Sequence, residues 1–284
     1  MSKMMRSLLN RTTLLCHAIS AMAGLLALAV VLCSFSLAQS GRFDAAGERE
    51  IVALINQERT SRGLQPLTVD GRLTSAARQH TGLMLRYRTL SHQFDGEERL
   101  SIRFAGQEIR SDQQAENVAY AGDVAEAHRT LMHSPGHRAN ILNPNYNAVG
   151  VGIAWLGSQI YVTEDFAHKL TDYSPYEADS ALEQAIARYR KSRGLPVPSR
   201  RRQSNLRQIA CDMARNDALD NSASRKVPGA RAVASWTATE IETLPSNAKG
   251  LLSQPLDSGY SLGDCYAPSI SYPGGIYWVV MVVY

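Results

Sequence analysis

Apolar residues recur at helical spacing as soon as charge becomes frequent in the chain. In 48–64, EREIVALINQERTSRGL, residues Ile51, Val52, Leu54 and Ile55 mark one face of a helix. Gly63 is placed to end it in a left-handed cap, with Leu64 packing behind. A second helix is predicted over about 73–87, where Leu73, Ala76, Ala77, His80, Leu83 and Met84 fall on neighbouring positions, and 123–132 has a helical pattern as well. Ser134-Pro-Gly-His137 reads as a further helix start, with Ser134 as N-cap and Pro135 at the first helical position. Residues 106–115 read as loop. The period then changes: 148–154 and 160–166 are rich in β-branched and aromatic residues around a Gly-containing turn, which predicts a strand pair. Helices closed by a hairpin indicate an α+β layered domain and not a parallel βαβ sheet.

The same order recurs. Ile55 matches Ile186, Arg59 matches Arg190, and Ser61-Arg-Gly-Leu64 returns as Ser192-Arg-Gly-Leu195, all at one offset. The segments 261–267 and 276–282 repeat the closing strand pair. A helix-first, hairpin-last order in both halves predicts a duplication, with the boundary near Tyr173-Ser-Pro-Tyr176. A length of 284 residues agrees with two domains of ordinary size.

Composition is globular: 44% hydrophobic and 20% charged residues exclude a disordered or collagen-like chain. The start is different. Lys3, Arg6 and Arg11 precede a run without Asp, Glu, Lys or Arg that lasts to Arg42, and its centre reads AGLLALAVVLC. With Ser36-Leu-Ala38 before Gln39, residues 1–38 are expected to be a signal peptide cut after Ala38; the alternative is an uncleaved N-terminal membrane anchor. Either exports the rest, to the periplasm or outside. Those three residues belong to 30 basic against 26 acidic, so the remaining chain is nearly neutral and gives no case for nucleic-acid binding. Cys16 and Cys33 lie in the leader. Cys211 and Cys265 are left as an even pair, which suggests one disulfide, with two buried free thiols as the alternative.

Six of the seven histidines lie between residues 80 and 168, and the second half has none. Imidazole chemistry is therefore confined to the first half. His137 falls in a first helical turn, where the helix dipole keeps its ring neutral and available as a metal ligand or base. His92, in Ser91-His-Gln-Phe-Asp95, sits in a loop from which a ring can enter a cleft. Glu116, in Ala115-Glu-Asn-Val-Ala119, is an acid inside an apolar run and needs a cation or donors if buried. His128, His133 and His168 read as solvated histidines, His80 as a satisfied core histidine, and Asn140 and Asn143 as turn formers.

Ser91-His92, Ala115-Glu-Asn-Val-Ala119, Ser134-Pro-Gly-His-Arg-Ala-Asn-Ile-Leu142 and Val149-Gly-Val-Gly152, in this order, resemble the bacterial branch of the CAP superfamily, whose SCP-like domains include cysteine-rich secretory, allergen and pathogenesis-related proteins. The resemblance implies a three-layer α-β-α sandwich over about 46–170. It also implies a cleft of two His and two acidic residues able to bind zinc or another divalent cation. Its histidines correspond to His92 and His137 and one acid to Glu116. The family's Trp-x-x-Glu motif is missing, with Leu131 where a Trp often stands, so Glu126 and Glu164 are the candidates for the fourth ligand. Glu164 shares a strand face with Ile160, Val162 and Phe166.

The second half, 176–284, reads as a degenerate CAP-like repeat. Leu252-Ser-Gln-Pro-Leu256 stands where Ser-Pro-Gly-His is expected, and Cys211 and Cys265 are placed to join its second helix to its strand. Arg188, Arg190, Lys191, Arg193, Arg200, Arg201, Arg202 and Arg207 form a basic stretch over 188–207 that could meet anionic envelope polymers or a membrane surface. The function expected from the resemblance is a non-enzymatic binding module of the cell envelope or extracellular space, holding a divalent ion and an apolar, lipid or envelope-derived ligand. A metal-dependent hydrolase and a structural protein with a vestigial cleft are the alternatives.

Overall fold

The computed structural model describes residues 43–284. The predicted leader, 1–38, with its cleavage and anchoring alternatives, lies outside the described residues. Among the described residues no helix is long and apolar enough to cross a membrane.

The first half contains α1 (Ala45–Thr60), β1 (Thr68–Val69), α2 (Gly71–Tyr87), α3 (Leu100–Gly106), β2 (Ser111–Ala121), α4 (Val124–His133), α5 (Pro135–Ile141), β3 (Ala148–Leu156) and β4 (Gln159–Lys169). Its sheet has the order β1-β3-β4-β2, so β2 is an edge strand. The β1–β3 pair is parallel and the others antiparallel. Side-chain alternation divides β4: Ile160, Val162 and Phe166 pack with Ile51 and Ile55 of α1 and Leu131 of α4, while Tyr161 and Ala167 face Met84 and Leu73 of α2. The sheet thus lies between two helical layers, the expected three-layer α-β-α sandwich.

The α1 helix ends as its sequence predicts, with Gly63 at φ +73°. Two other glycines set the spacing of the layers. A Cβ on Gly150 would lie 2.1 Å from the Leu73 carbonyl carbon, and one on Gly152 would lie 2.7 Å from that of Ala77, so α2 rests directly on β3. Two expectations fail here. Residues 111–115 are strand and not loop, because the polar Ser111-Asp-Gln-Gln114 run is held by the ladder to β4 and carries no apolar alternation. The α3 helix has no counterpart in the sequence pattern; its seven residues bury Phe104 alone.

The second half contains α6 (Pro175–Ser192), α7 (Leu206–Arg215), a 3₁₀ turn (Ser224–Lys226), β5 (Ala232–Ala238), α8 (Ser246–Leu252), β6 (Tyr260–Ala267) and β7 (Ile276–Val283), with sheet order β5-β7-β6. Tyr277, Val279 and Met281 pack under α6 and α8, and Trp278, Val280 and Val282 under α7, again giving three layers. Parallels with the first half extend to single bonds. Arg59 is fully buried and donates to the carbonyls of Gln65, Ile141, Asn143 and Tyr146. Arg190, 1% exposed, donates to those of Pro196, Leu252 and Gln254. Gly263 meets Leu206 of α7 as Gly150 meets Leu73, with a Cβ contact of 2.3 Å.

These bonds correct one sequence alignment. Because Leu252 and Gln254 serve Arg190 as Ile141 and Asn143 serve Arg59, α8 occupies the place of α5. The position of Ser134-Pro-Gly-His137 is therefore filled by Pro245-Ser-Asn-Ala248 and not by Leu252-Ser-Gln-Pro-Leu256. Cys211 and Cys265 are disulfide-bonded and tie α7 to β6, as expected. The basic stretch is not one solvated face: Arg190 is buried, Arg200 pairs with Asp179 and Glu183, and Arg201 lies over the Tyr284 ring.

The glycine contact yields a test. Gly150→Ala forces backbone against backbone and is expected to cost ~2 kcal/mol or more in urea unfolding. Gly136→Ala, within α5 and meeting no atom within 4 Å, is expected to leave stability unchanged or raise it by up to ~1 kcal/mol.

Candidate functional site

The site forms around the edge strand β2, because consecutive residues on a strand point to opposite faces. Glu116 lies opposite Asp165 and faces the α2–α3 layer; Asn117 lies opposite Glu164 and faces α5. Glu116 Oε1 is 3.0 Å from His92 Nδ1, and its Oε2 accepts from Arg103 of α3 at 2.6 Å. Asn117 Nδ2 donates to the His137 carbonyl (3.1 Å) and to Glu164 (2.9 Å), while its Oδ1 accepts from Asn140 (2.9 Å). The Glu-Asn pair therefore positions one histidine on each side of the edge. The rings of His92 and His137 meet there with centroids 6.3 Å apart.

Electrostatics distinguish the groups. Bonding to Glu116 raises the pKa of His92, whose side chain is 56% exposed. Burial, then the proximity of His92, lowers that of His137. Burial acts to raise the Glu116 carboxyl, but His92, Arg103 and His80 together outweigh it and leave it below the usual range. Asp165 is fully buried beside Glu116, with no hydrogen-bond partner for either oxygen among the described residues, and burial followed by Glu116 pushes it well up. Glu164, also buried, is raised by desolvation to about 7.

The structure thus brings His92, Glu116 and His137 together and leaves both fourth-ligand candidates apart. Glu164 hangs beneath Asn117, bonded to it. Glu126 accepts from the Gly122 N–H at the start of α4 and serves as a helix cap. His80 is the expected core histidine: fully buried, it bonds Glu97 (2.6 Å) and the Ser91 carbonyl (2.8 Å). His133 bonds the Arg129 carbonyl and His168 bonds Asp112, as fits surface histidines.

Other expectations need correction. His128 is 6% exposed, with neither ring nitrogen hydrogen-bonded among the described residues and its pKa lowered by burial, because α4 turns this face to the interior with Ala127 and Leu131. Asn140 holds Asn117 and not a turn, whereas Asn143 does cap a turn through the Asn145 N–H. Ser134 occupies the N-cap of α5 without a side-chain bond. Arg103 and Asp165 join the site without a motif to announce them. The demand of a buried Glu116 for a cation was the available signal for Arg103, and two successive acids on an otherwise apolar strand the signal for Asp165.

These contacts decide how well the donors suit a divalent ion. Among the described residues no three His, Cys, Asp or Glu side chains converge to hold a metal. Both Glu116 oxygens are engaged, one by a guanidinium, so a direct His₂Glu ligand set does not fit. What fits is the carboxylate–histidine pattern of metal sites: Glu116 accepts a hydrogen bond from the Nδ1–H of His92, which leaves Nε2 as that ring's ligand atom, beside the ring of His137, whose pKa is lowered. Two imidazoles with solvent in the remaining positions would hold the ion.

Two titrations test these assignments. In Glu116→Gln the NMR midpoint of His92 is expected to fall, since its bonded anion is gone; an unchanged midpoint would refute the pairing. Glu164 binds a proton more tightly folded than unfolded, so it lowers wild-type stability as pH rises from about 4.5 through about 7. Glu164→Gln is therefore expected to gain stability relative to wild type across that interval, by an amount of order 1–3 kcal/mol in urea unfolding.

The profile of the CAP family, described as the cysteine-rich secretory protein family, matches residues 52–166. An uncharacterized protein, YkwD, of Bacillus subtilis (strain 168) is 34% identical over 123 residues, which are 40% of this chain and 45% of that protein, so the chain spans less than half the length of this relative. Among solved structures, an extracellular SCP-domain protein from Bacillus anthracis str. Ames is similar with TM-score 0.40 and 24% identity, covering 44% of this chain and 41% of that one. An outer surface protein of Borrelia burgdorferi gives TM-score 0.43 and 16% identity, over 46% of this chain and 99% of that one. The segment 52–166, which carries His92, Glu116 and His137, is a CAP domain of the cysteine-rich secretory protein family.

Proposed function

We propose that this chain is an exported binding protein whose CAP domain holds a divalent cation, such as zinc, between His92 and His137 at the edge of its sheet. The observation that carries the reading is the shared use of Glu116: Arg103 takes one oxygen and His92 Nδ1 the other. That arrangement fixes the tautomer and direction of a largely exposed imidazole, which is wasted effort unless its remaining nitrogen has work. A bound cation would supply a Lewis-acidic centre for an anionic or carbonyl-bearing ligand. His92 and His137 bind it, Glu116 orients His92, and Asn117 fixes the helix that presents His137. Among the described residues no hydroxyl or thiol is hydrogen-bonded to either imidazole, so a Ser-His or Cys-His nucleophile pair finds no support, and binding is the function proposed.

Export is supported by the composition of residues 1–38 and by relatives described as extracellular and outer-surface proteins. Residues 176–284 are proposed to be a second, degenerate CAP-like repeat. The support is the matching placement of Arg59 and Arg190, of Gly150 and Gly263, and of α5 and α8. With Ala248 standing where His137 does, this repeat is assigned no cation.

Calorimetric titration of the purified protein with zinc is expected to show one site, lost in the folded His92→Ala/His137→Ala variant and weakened roughly 10–100-fold in Glu116→Gln, as for an orienting residue. Absence of binding by the intact protein, or binding indifferent to the double substitution, would overturn the reading. Chelator-sensitive turnover abolished by His137→Ala would replace it with a metal-dependent hydrolase.

A further inference from the structure

Apart from the histidine cleft, the two halves enclose a cavity of about 500 Å³ lined by Arg72, Arg110, Tyr173, Tyr266, Pro268 and Pro273, among others. Arg110, just before β2, is 8% exposed. Its guanidinium lies 4.1 Å from the Tyr266 ring centroid and 4.7 Å from that of Tyr277. One nitrogen, Nη1, donates to the Thr171 carbonyl at 2.7 Å; Nε is buried without a partner. Among the described residues no carboxylate forms an ion pair with it. Arg72, by contrast, is paired with Asp172 and donates to the Glu108 carbonyl.

A buried guanidinium without a counter-charge is expensive, and two π faces repay only part of the lost hydration. Nor can the tyrosines supply the charge: burial raises the pKa of both Tyr266 and Tyr277 and keeps them neutral. Glu240 and Glu242 line the neighbouring cavity on the other side of Arg110 without forming an ion pair with it, so a place for an anion from outside is left, and the cavity wall limits its kind. Glu108 and Asp172 stand on the same wall and repel a dianion, while the tyrosine and proline surfaces favour a flat apolar body.

We propose that this cavity binds a small monocarboxylate with an aromatic or similarly flat apolar body, its carboxylate on Arg110 and its body against Tyr173, Tyr266 and the prolines. Because residues from both halves form the walls, an occupant would contact both at once. The site shares no residue with the histidine cleft, so its failure and that of the cation reading are independent.

Benzoate is the probe, with benzyl alcohol as the uncharged control, titrated into the purified protein and followed by calorimetry and NMR. Saturable benzoate binding with a Kd below about 1 mM is expected, with benzyl alcohol at least tenfold weaker. Arg110→Gln is expected to weaken benzoate at least tenfold. Should that variant not fold, Gly274→Leu keeps the test open: Gly274 lines the cavity, a Cβ there meets no atom within 4 Å, and a side chain that fills the space leaves Arg110 intact. Loss of benzoate binding in Gly274→Leu supports the site. No saturable binding by the intact protein, equal binding of the alcohol, or undiminished binding by the folded variants would overturn it.

Discussion

Four carboxyl groups, those of Glu97, Glu116, Glu164 and Asp165, are buried around one end of the first sheet, and a single guanidinium, Arg103, reaches two of them. A low-dielectric interior does not tolerate that many charges, so each group is settled differently. Glu116 stays ionised between Arg103 and His92. Asp165, behind it, is pushed toward its protonated form by burial and by Glu116. Glu164 is balanced near neutrality against one amide of Asn117. The direction of both cleft histidines follows from this division, because His92 is aimed by the ionised acid and the helix of His137 is held by the amide that the titrating acid supports. The seven-residue helix α3, otherwise a minor element, matters because it brings in Arg103.

The second half, whose sheet has three strands against four, carries different groups on its central strands. Gly150 lies opposite Asp165, which lies opposite Glu116; at the corresponding ladder positions Gly263 lies opposite Val280, which lies opposite Ser235. Val279 and Trp236 likewise stand where Glu164 and Asn117 do. Valines thus stand in place of Asp165 and Glu164 and a serine in place of Glu116, while the buried acid of the second sheet, Asp264, lies on its edge strand β6. What both halves keep is the arginine that closes the loop after the first helix and the glycine that seats the second helix on the sheet. Those contacts serve the architecture, whereas the acids serve the cleft.

Much of this was legible from residues. Gly63 marked the end of α1, Cys211 and Cys265 marked the disulfide, and the motifs around His92, Glu116 and His137, each a local run of distinctive residues, picked out side chains that the fold brings to one edge of the sheet. The failures share another character. Arg103 meets Glu116 only through the fold, and its short helix has no second turn to set a period. Asn117 looked like a companion to Glu116, yet strand alternation sends it to the opposite layer, where it meets Asn140. His128 looked solvated because a helix alone does not say which side its neighbours cover. The position of α8 is hidden because the residues of Ser134-Pro-Gly-His137 do not recur as letters, while what recurs is a pair of carbonyls offered to an arginine.

The polar run Ser111-Asp-Gln-Gln114 that disguised the start of β2 has a consequence for the protein among its own copies. An edge strand of eleven residues leaves one row of backbone donors and acceptors open, a template on which another chain can align and begin to aggregate. An apolar, regular sequence would have been easier to recognise as a strand and easier to recruit into a neighbour's sheet. The charged and amide side chains at its first positions, together with the register shift between Ser111 and Gln113, blunt that edge, so the feature that hid the strand from inspection also works against pairing between copies of the chain.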